Sequence, residues 1–320
     1  MKNGFLFKNL IETLQDRIPQ RGKLADVLTE LLGIEKEAVY RRLRGSVPFS
    51  FQELHTIAVY FSFSLDSIAD NISLVTRQMT VLLADFLDPQ EIDYRKLEDF
   101  AASIQRLKED PDSEAGAIGS IIPSSLCVSY EHIYKFYLFK CSHQFGNTQK
   151  IKSYAETIVP ERLKQINREF VENMHTTPKL IFILDRRFIR SFVNDIRFFF
   201  DIRLISREDL LLLKEDLYLL INSLEKYAVN GHFDSGGKVD IFLANVHIET
   251  SYNYIDSNKY KLTTIRAFTY SDSYSFDEVV FQNMKNWLNF LKRTSTLITE
   301  GNVAERIRFF ERQRKIVDSL

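Results

Sequence analysis

Two cysteines, seven prolines, eleven glycines and one tryptophan in 320 residues leave this chain short of cross-links and of residues that break helices. Cys127 and Cys141 are too few for a disulfide framework, so the fold must rest on an apolar core and suits a reducing compartment. The low glycine and proline counts exclude a turn-rich, all-β chain and predict long, mostly helical elements. Charge of one sign is also missing. A net charge of −1 excludes a globally basic nucleic-acid binder and confines any DNA affinity to a local patch. No apolar run reaches the length of a membrane span without a charge, and the opening MKNGFLFKNLIETLQDR carries charges inside its apolar stretches. Neither a membrane segment nor a leader is expected, and the expected location is the cytoplasm.

What is present is apolar: 45% hydrophobic residues, with 26 Phe and 14 Tyr, enough to bury a large core in a small domain followed by a larger one. The most informative stretch runs from Leu24 to Asn71. Before it, Phe5, Leu6, Leu10, Ile11 and Leu14 recur at helical spacing from Asn3 to Arg17. Lys23 to Leu32 then places Leu24, Val27, Leu28, Leu31 and Leu32 on one face, and Gly33 closes that helix. A short turn leads to Glu35–Arg44, whose apolar stripe is Ala38, Val39 and Leu43. Its opposite face holds Lys36, Glu37, Tyr40, Arg41 and Arg44. A second helix joined to the first by a short Gly-containing turn is the geometry that enters a DNA major groove. Arginine bonds bidentately to guanine, lysine and tyrosine reach phosphate or base acceptors, and Glu37 can accept from a cytosine amino group. Ser50 and Glu53 form a capping box for Phe51–Phe61, and Ser64 caps a short fifth helix through Ile68 and Ala69.

The stretch LGIEKEAVYRRLRGSVPFSFQELHTIAVYFSFSLDSIA resembles the lambda-repressor-like, XRE-type helix-turn-helix, and its AVYRRLRG ending is most similar to the BetR-type domain of bacterial regulators. The resemblance covers roughly residues 5–72. It implies that Lys23–Leu32 is the positioning helix and Glu35–Arg44 the recognition helix. Lys36, Glu37, Tyr40 and Arg41 then face the groove, with Arg42 and Arg44 near the DNA backbone. Gly45 matches the family glycine after the recognition helix, and Ser64-Leu65-Asp66 matches its SLD. Glu35 stands where such domains usually carry Ser or Thr. Residues 1–72 hold nine basic and nine acidic side chains, so weak non-specific binding and a reliance on dimerisation are expected.

The rest reads mainly as helix. Asn71–Phe86 and Ile92–Lys108 form a helical pair, and 111–116 (PDSEAG) is the expected loop. Ser120–Phe145 is helical after Pro123, and Lys150–Met174 breaks at Val159-Pro160. KLIFILDRRFIRSFVNDIRFFFDIRLI, from Lys179, interleaves arginines at 186, 187, 190, 197, 203 and 207 with phenylalanines. This pattern suits a core helix whose arginine edge is partnered by Asp185, Asp195 and Asp201, and less well an anionic-ligand or second nucleic-acid surface. Glu208–Ala228 is a leucine-dense helix. VDIFLANVHIETSYNYI and KYKLTTIRAFTY read as one β-hairpin, the only sheet expected. Phe276–Ile298 and Val303–Val317 return to helix, the last with a solvated basic face.

Two motifs invite chemistry. GHFDSGGK, Gly231–Lys238, nearly spells a phosphate-binding loop, but its lysine is one position late, no Ser or Thr follows, and a helix precedes it; it reads as the turn into the hairpin. Cys127, His132, Cys141 and His143 lack the close-paired spacing of a zinc site. No HExxH, GxSxG or paired-carboxylate motif appears, so no enzyme activity, cofactor or metal is expected.

The sequence therefore predicts a mainly α protein: a five-helix helix-turn-helix bundle over residues 1–74, and a larger helical effector or dimerisation domain over 75–320 with a β-hairpin near 238–270. Its expected function is sequence-specific transcriptional regulation, as a homodimer on a double-stranded operator, with a small-molecule or protein effector and no membrane partner. The alternatives are an adaptor that uses the same fold without DNA, and an enzyme domain controlled by the N-terminal module.

Overall fold

A computed structural model describes residues 3–18, 20–61, 63, 65, 68, 79–81, 88–144, 152–267 and 272–320. The chain divides into two compact units, Met1–Gln78 and Met79–Leu320.

In the first unit, α1 (Asn3–Arg17), α2 (Arg21–Leu32), α3 (Lys36–Leu43) and α4 (Phe51–Tyr60) surround one apolar core. Leu14, Leu24, Leu28, Val39 and Ile57 are fully buried there, each contributing roughly 1.5–3 kcal/mol of transfer free energy. Gly33 adopts φ 63° and its N–H donates to the Thr29 carbonyl, ending α2 in a conformation that is strained for any residue with a Cβ. Leu65 and Ile68 are helical, and Ile68 is buried with its carbonyl accepting from Asn9 Nδ2 at 3.0 Å. The remainder of the expected fifth helix lies outside the described residues. So does most of the expected Asn71–Phe86 helix, but its Thr80–Val81 portion is strand β1. Pairing with the far edge of a sheet decides that conformation.

The larger unit corrects the expectation of one hairpin. It is built on an eight-stranded sheet with the order β1-β7-β6-β5-β2-β3-β4-β8. Three parallel strands, β2 (Glu114–Gly119), β3 (Lys179–Leu184) and β4 (Lys238–Leu243), lie side by side in register. Antiparallel β5 (Tyr252–Asp256), β6 (Lys261–Arg266) and β7 (Asp272–Ser275) extend one side, and β8 (Thr296–Leu297) borders the other. The expected hairpin is β5–β6. β4, which was assigned to it, is a separate strand beside β3.

The helices follow from that topology, because parallel neighbours need long crossovers. After β1 come α5 (Glu91–Gln105) and a 3₁₀ turn, Arg106–Glu109. Between β2 and β3 run α6 (Ser124–Cys127), α7 (Glu131–Gln144) and α8 (Glu161–His175). Between β3 and β4 run α9 (Arg190–Asp201) and α10 (Arg207–Asn230). α11 (Glu278–Thr294) and α12 (Val303–Asp318) close the chain. One sheet face, carrying Ala117, Phe182 and Ile241, packs against α7, α9, α10 and α12 through Phe136, Phe192, Leu217 and Phe310. The opposite face, carrying Ile118, Ile181 and Ile183, is covered by Phe281, Met284 and Leu288 of α11.

Besides β8, which replaces the end of the expected Phe276–Ile298 helix, two of the missed strands have a clear physical reason. A central parallel strand is buried on two faces and shows no alternation, so KLIFIL reads like the start of a helix. β2 fails differently, for Glu114-Ala115-Gly116-Ala117-Ile118-Gly119 looks like a loop. Its small residues are required by what lies over them: a Cβ on Gly116 would stand 2.2 Å from Tyr254 Cε1. The expected arginine edge also changes. Asp195 is held by Lys140 at 2.5 Å, and Asp185 by His247 at 2.9 Å. Nor is the basic face of α12 wholly solvated, since buried Arg306 donates to the carbonyls of Ala228, Ile298 and Gly301. Among the described residues no helix is long and apolar enough to cross a membrane.

Candidate nucleic-acid interface

α2 and α3 form a helix-turn-helix joined by Gly33, Ile34 and Glu35. Val39 and Leu43 are buried against α2 and α1, which turns the other side of α3 outward. On that side Glu35, Lys36, Glu37, Arg41 and Arg44 are exposed and Tyr40 is half-buried. Glu35 is the N-cap residue, with extended backbone and no side-chain cap bond. Its carboxylate is therefore not consumed by the helix end.

The candidate residues fall into four groups by what their side chains touch. Among the described residues Arg41 and Glu37 have no hydrogen-bond or ion-pair partner, so both are available to a ligand. Arg44 stands over the Tyr40 ring, its Cζ 5.8 Å from the centroid, a cation–π contact that sets the arginine alongside α3. Lys36 pairs with Asp26 on α2 at 2.5 Å, and that hydrogen bond holds its ammonium above the ordinary lysine range. The pair is exposed, so a phosphate can compete for the lysine at little cost.

Arg42 is placed differently. Its Nε donates to Glu53 Oε2 at 3.0 Å and its Nη2 lies 2.9 Å from Glu53 Oε1, with both side chains mostly buried. A third donor, Nη1, reaches the Ala38 carbonyl at 3.3 Å. The same Glu53 carboxylate accepts from the Ser50 N–H at 2.8 Å, while Ser50 Oγ accepts from the Glu53 N–H at 3.2 Å. One carboxylate thus caps α4 and fastens α3 to it. Burial pushes the Glu53 carboxyl up, but the hydrogen bonds from Arg42 and Ser50 outweigh it and leave the group below the usual carboxylate range. The capping box is legible in sequence. The Arg42–Glu53 pair is not, because it depends on how the two helices cross.

The turn after α3 fixes the helix's far end. Gly45 sits at φ 76°, where a Cβ would come within 3.1 Å of Phe7 Cε1, and the Ser46 N–H donates to the Arg41 carbonyl at 2.9 Å. This closure holds Arg41 and Arg44 at the rim of the module.

The other motifs do not form sites of the kind weighed in sequence. GHFDSGGK is the turn from α10 into β4: Gly231 ends α10 at φ 74°, and the Phe233 N–H donates to the Gly237 carbonyl at 2.9 Å. Cys127 and Cys141 are both buried free thiols. Among the described residues no group of three or more His, Cys, Asp or Glu could hold a metal ion.

No curated protein and no solved structure matches the chain. The matching family model reaches further than the sequence resemblance, through α5 and the 3₁₀ turn, and so crosses the boundary between the two compact units. The family model that matches is that of the BetR domain, over residues 4–109 of the chain.

Proposed function

We infer that this protein is a sequence-specific DNA-binding transcriptional regulator that lays α3 in the major groove of its operator. The observation that carries this reading is the outward face of α3, where Arg41 is unpartnered and Arg44 and Tyr40 stand beside it, on a helix anchored from behind by Val39, Leu43 and Arg42. Groove reading needs side chains that are free but on a rigid mount. Arg41 and Glu37 are the base-reading candidates, Lys36 and Arg44 the phosphate contacts, and Arg42 holds the reading helix against α4. The BetR-domain match supports the same assignment.

In this reading the protein acts as a homodimer, setting two copies of α3 one helical turn apart on a partly palindromic site. The larger unit serves dimerisation or signal sensing, and no catalytic step is assigned to it. The test is selection of bound DNA fragments by the full chain, followed by titration of the selected fragment. Arg41→Ala is expected to weaken the selected site by about 10- to 100-fold, the worth of one bidentate base contact of about 1–3 kcal/mol. Equal affinity of wild type and variant for that fragment would remove Arg41 from the interface. A flat response of affinity to salt would instead point to an adaptor that makes no phosphate contacts.

A further inference from the structure

The carboxyl ends of β2, β3 and β4 are level, with Gly119, Leu184 and Leu243 in register across the sheet. The chain leaves each strand through a loop, and the Asp185 N–H donates to the Gly119 carbonyl at 3.0 Å while the Ala244 N–H donates to Leu184 at 2.9 Å. Above these ends, walled by the first turns of α9 and by α12, opens a cavity of about 600 Å³. That is the size of a small-molecule site, and the carboxyl edge of parallel strands is where such sites form.

Its electrostatics are one-sided. Arg187, Arg190 and Arg312 line it together with His247. Arg187 and Arg190 have no side-chain hydrogen bond or ion pair among the described residues, and Arg312 makes neither. The carboxylate that lines the cavity, Asp185, is already engaged: it accepts from the Arg187 N–H at 2.9 Å and stands 2.9 Å from His247 Nδ1. A fourth lining arginine, Arg186, is likewise engaged, by Glu305 and by Asn245 at 2.8 Å. The ordinary reading of an exposed arginine is a solvated surface. Here, however, cations from the β3–α9 turn and from α12 converge on one concavity, and the carboxylates beside them, Asp185 and Glu305, are held by His247 and Arg186. Hydroxyl and amide groups from Ser120, Ser191 and Asn194 share the wall with the His247 imidazole.

We propose that this cavity binds a small phosphorylated metabolite of the sugar-phosphate kind, with Arg187, Arg190 and Arg312 as its phosphate ligands. Guanidinium groups clamp phosphate oxygens through paired N–H donors. The serines and Asn194 supply hydrogen bonds to the hydroxyls of a sugar. Binding there does not depend on the DNA reading, so the two stand or fall separately.

The experiment is calorimetric titration of the full chain with fructose 1,6-bisphosphate and with inorganic phosphate, at ionic strength matched with chloride. Glucose serves as the uncharged comparison. Saturable binding of the bisphosphate is expected, weakened at least about tenfold by Arg187→Ala/Arg190→Ala, since each arginine lost removes charge-assisted hydrogen bonds. Arg293→Ala, an exposed arginine on α11, is expected to leave it unchanged, and an unaltered thermal midpoint in chloride shows that the double variant is folded. Binding that survives in the double variant overturns the proposal. So does the absence of binding by either phosphate probe, and a double variant that loses DNA affinity while no phosphate probe binds assigns the arginines to DNA instead.

Discussion

Removing the Glu53 carboxylate tests how the reading helix is mounted. In Glu53→Ala, α4 loses the acceptor for the Ser50 N–H, and Arg42 loses both contacts of its bidentate pair while staying mostly buried. A helix cap is worth about 1 kcal/mol and a partly buried charge-assisted pair about 1–2 kcal/mol, so the α3–α4 corner should weaken by about 2–3 kcal/mol. At 1.4 kcal/mol per decade, amide exchange across residues 36–60, followed by mass spectrometry on the full chain at pH 7, should accelerate about 30- to 100-fold. Peptides from β3 and α10 report on the other unit and should not change. Glu53→Gln, which keeps one acceptor oxygen, should fall between. The folded carboxyl titrates below its ordinary range, so its contribution is complete above about pH 4.3 and is lost as pH falls through the depressed value. The stability gap between wild type and Glu53→Ala should therefore narrow below about pH 4. Exchange in residues 36–60 within threefold of wild type at pH 7 would refute this account of the corner.

One further substitution and one labelling check independent parts of the structure. Gly45→Ala places a side chain at φ 76° and 3.1 Å from the Phe7 ring, so thermal unfolding of the first unit should shift by an amount worth about 1–2 kcal/mol; an unshifted transition would show that the turn after α3 is not held as described. Burial pushes the Cys141 thiol up to about 11, so iodoacetamide at pH 8 should label it in the native chain at no more than about a hundredth of the rate in denaturant; prompt native labelling would mean that the α7 core opens readily.

The extent to which sequence spoke differs between the two units for a concrete reason. In the first, each described element is helical and short-linked, so local signals coincide with tertiary ones: Gly33 ends α2, Ser50 and Glu53 open α4, and Val39 and Leu43 mark the inner stripe of α3. In the second, β2 and β3 are strands because neighbours far along the chain supply their hydrogen bonds. Gly116 pairs with Ile181 and Tyr254, residues 65 or more positions away, and no local pattern announces that. The cavity arginines were visible as a basic stretch but not as a site, since Arg312 joins Arg187 and Arg190 only through the packing of α12 beside α9.

By itself, then, the sequence determined the helix-turn-helix, the polar face of α3 and the helical segments from α7 to α12, all set by periodicity and end signals within a few residues. The tertiary structure alone decided that Arg42 braces α3 while Arg41 stays free, and that KLIFIL is a strand. It also decided that the ends of three parallel strands open onto a basic concavity. Each of those outcomes depends on which distant groups share a buried surface, and the free energy of that burial outweighs local preference.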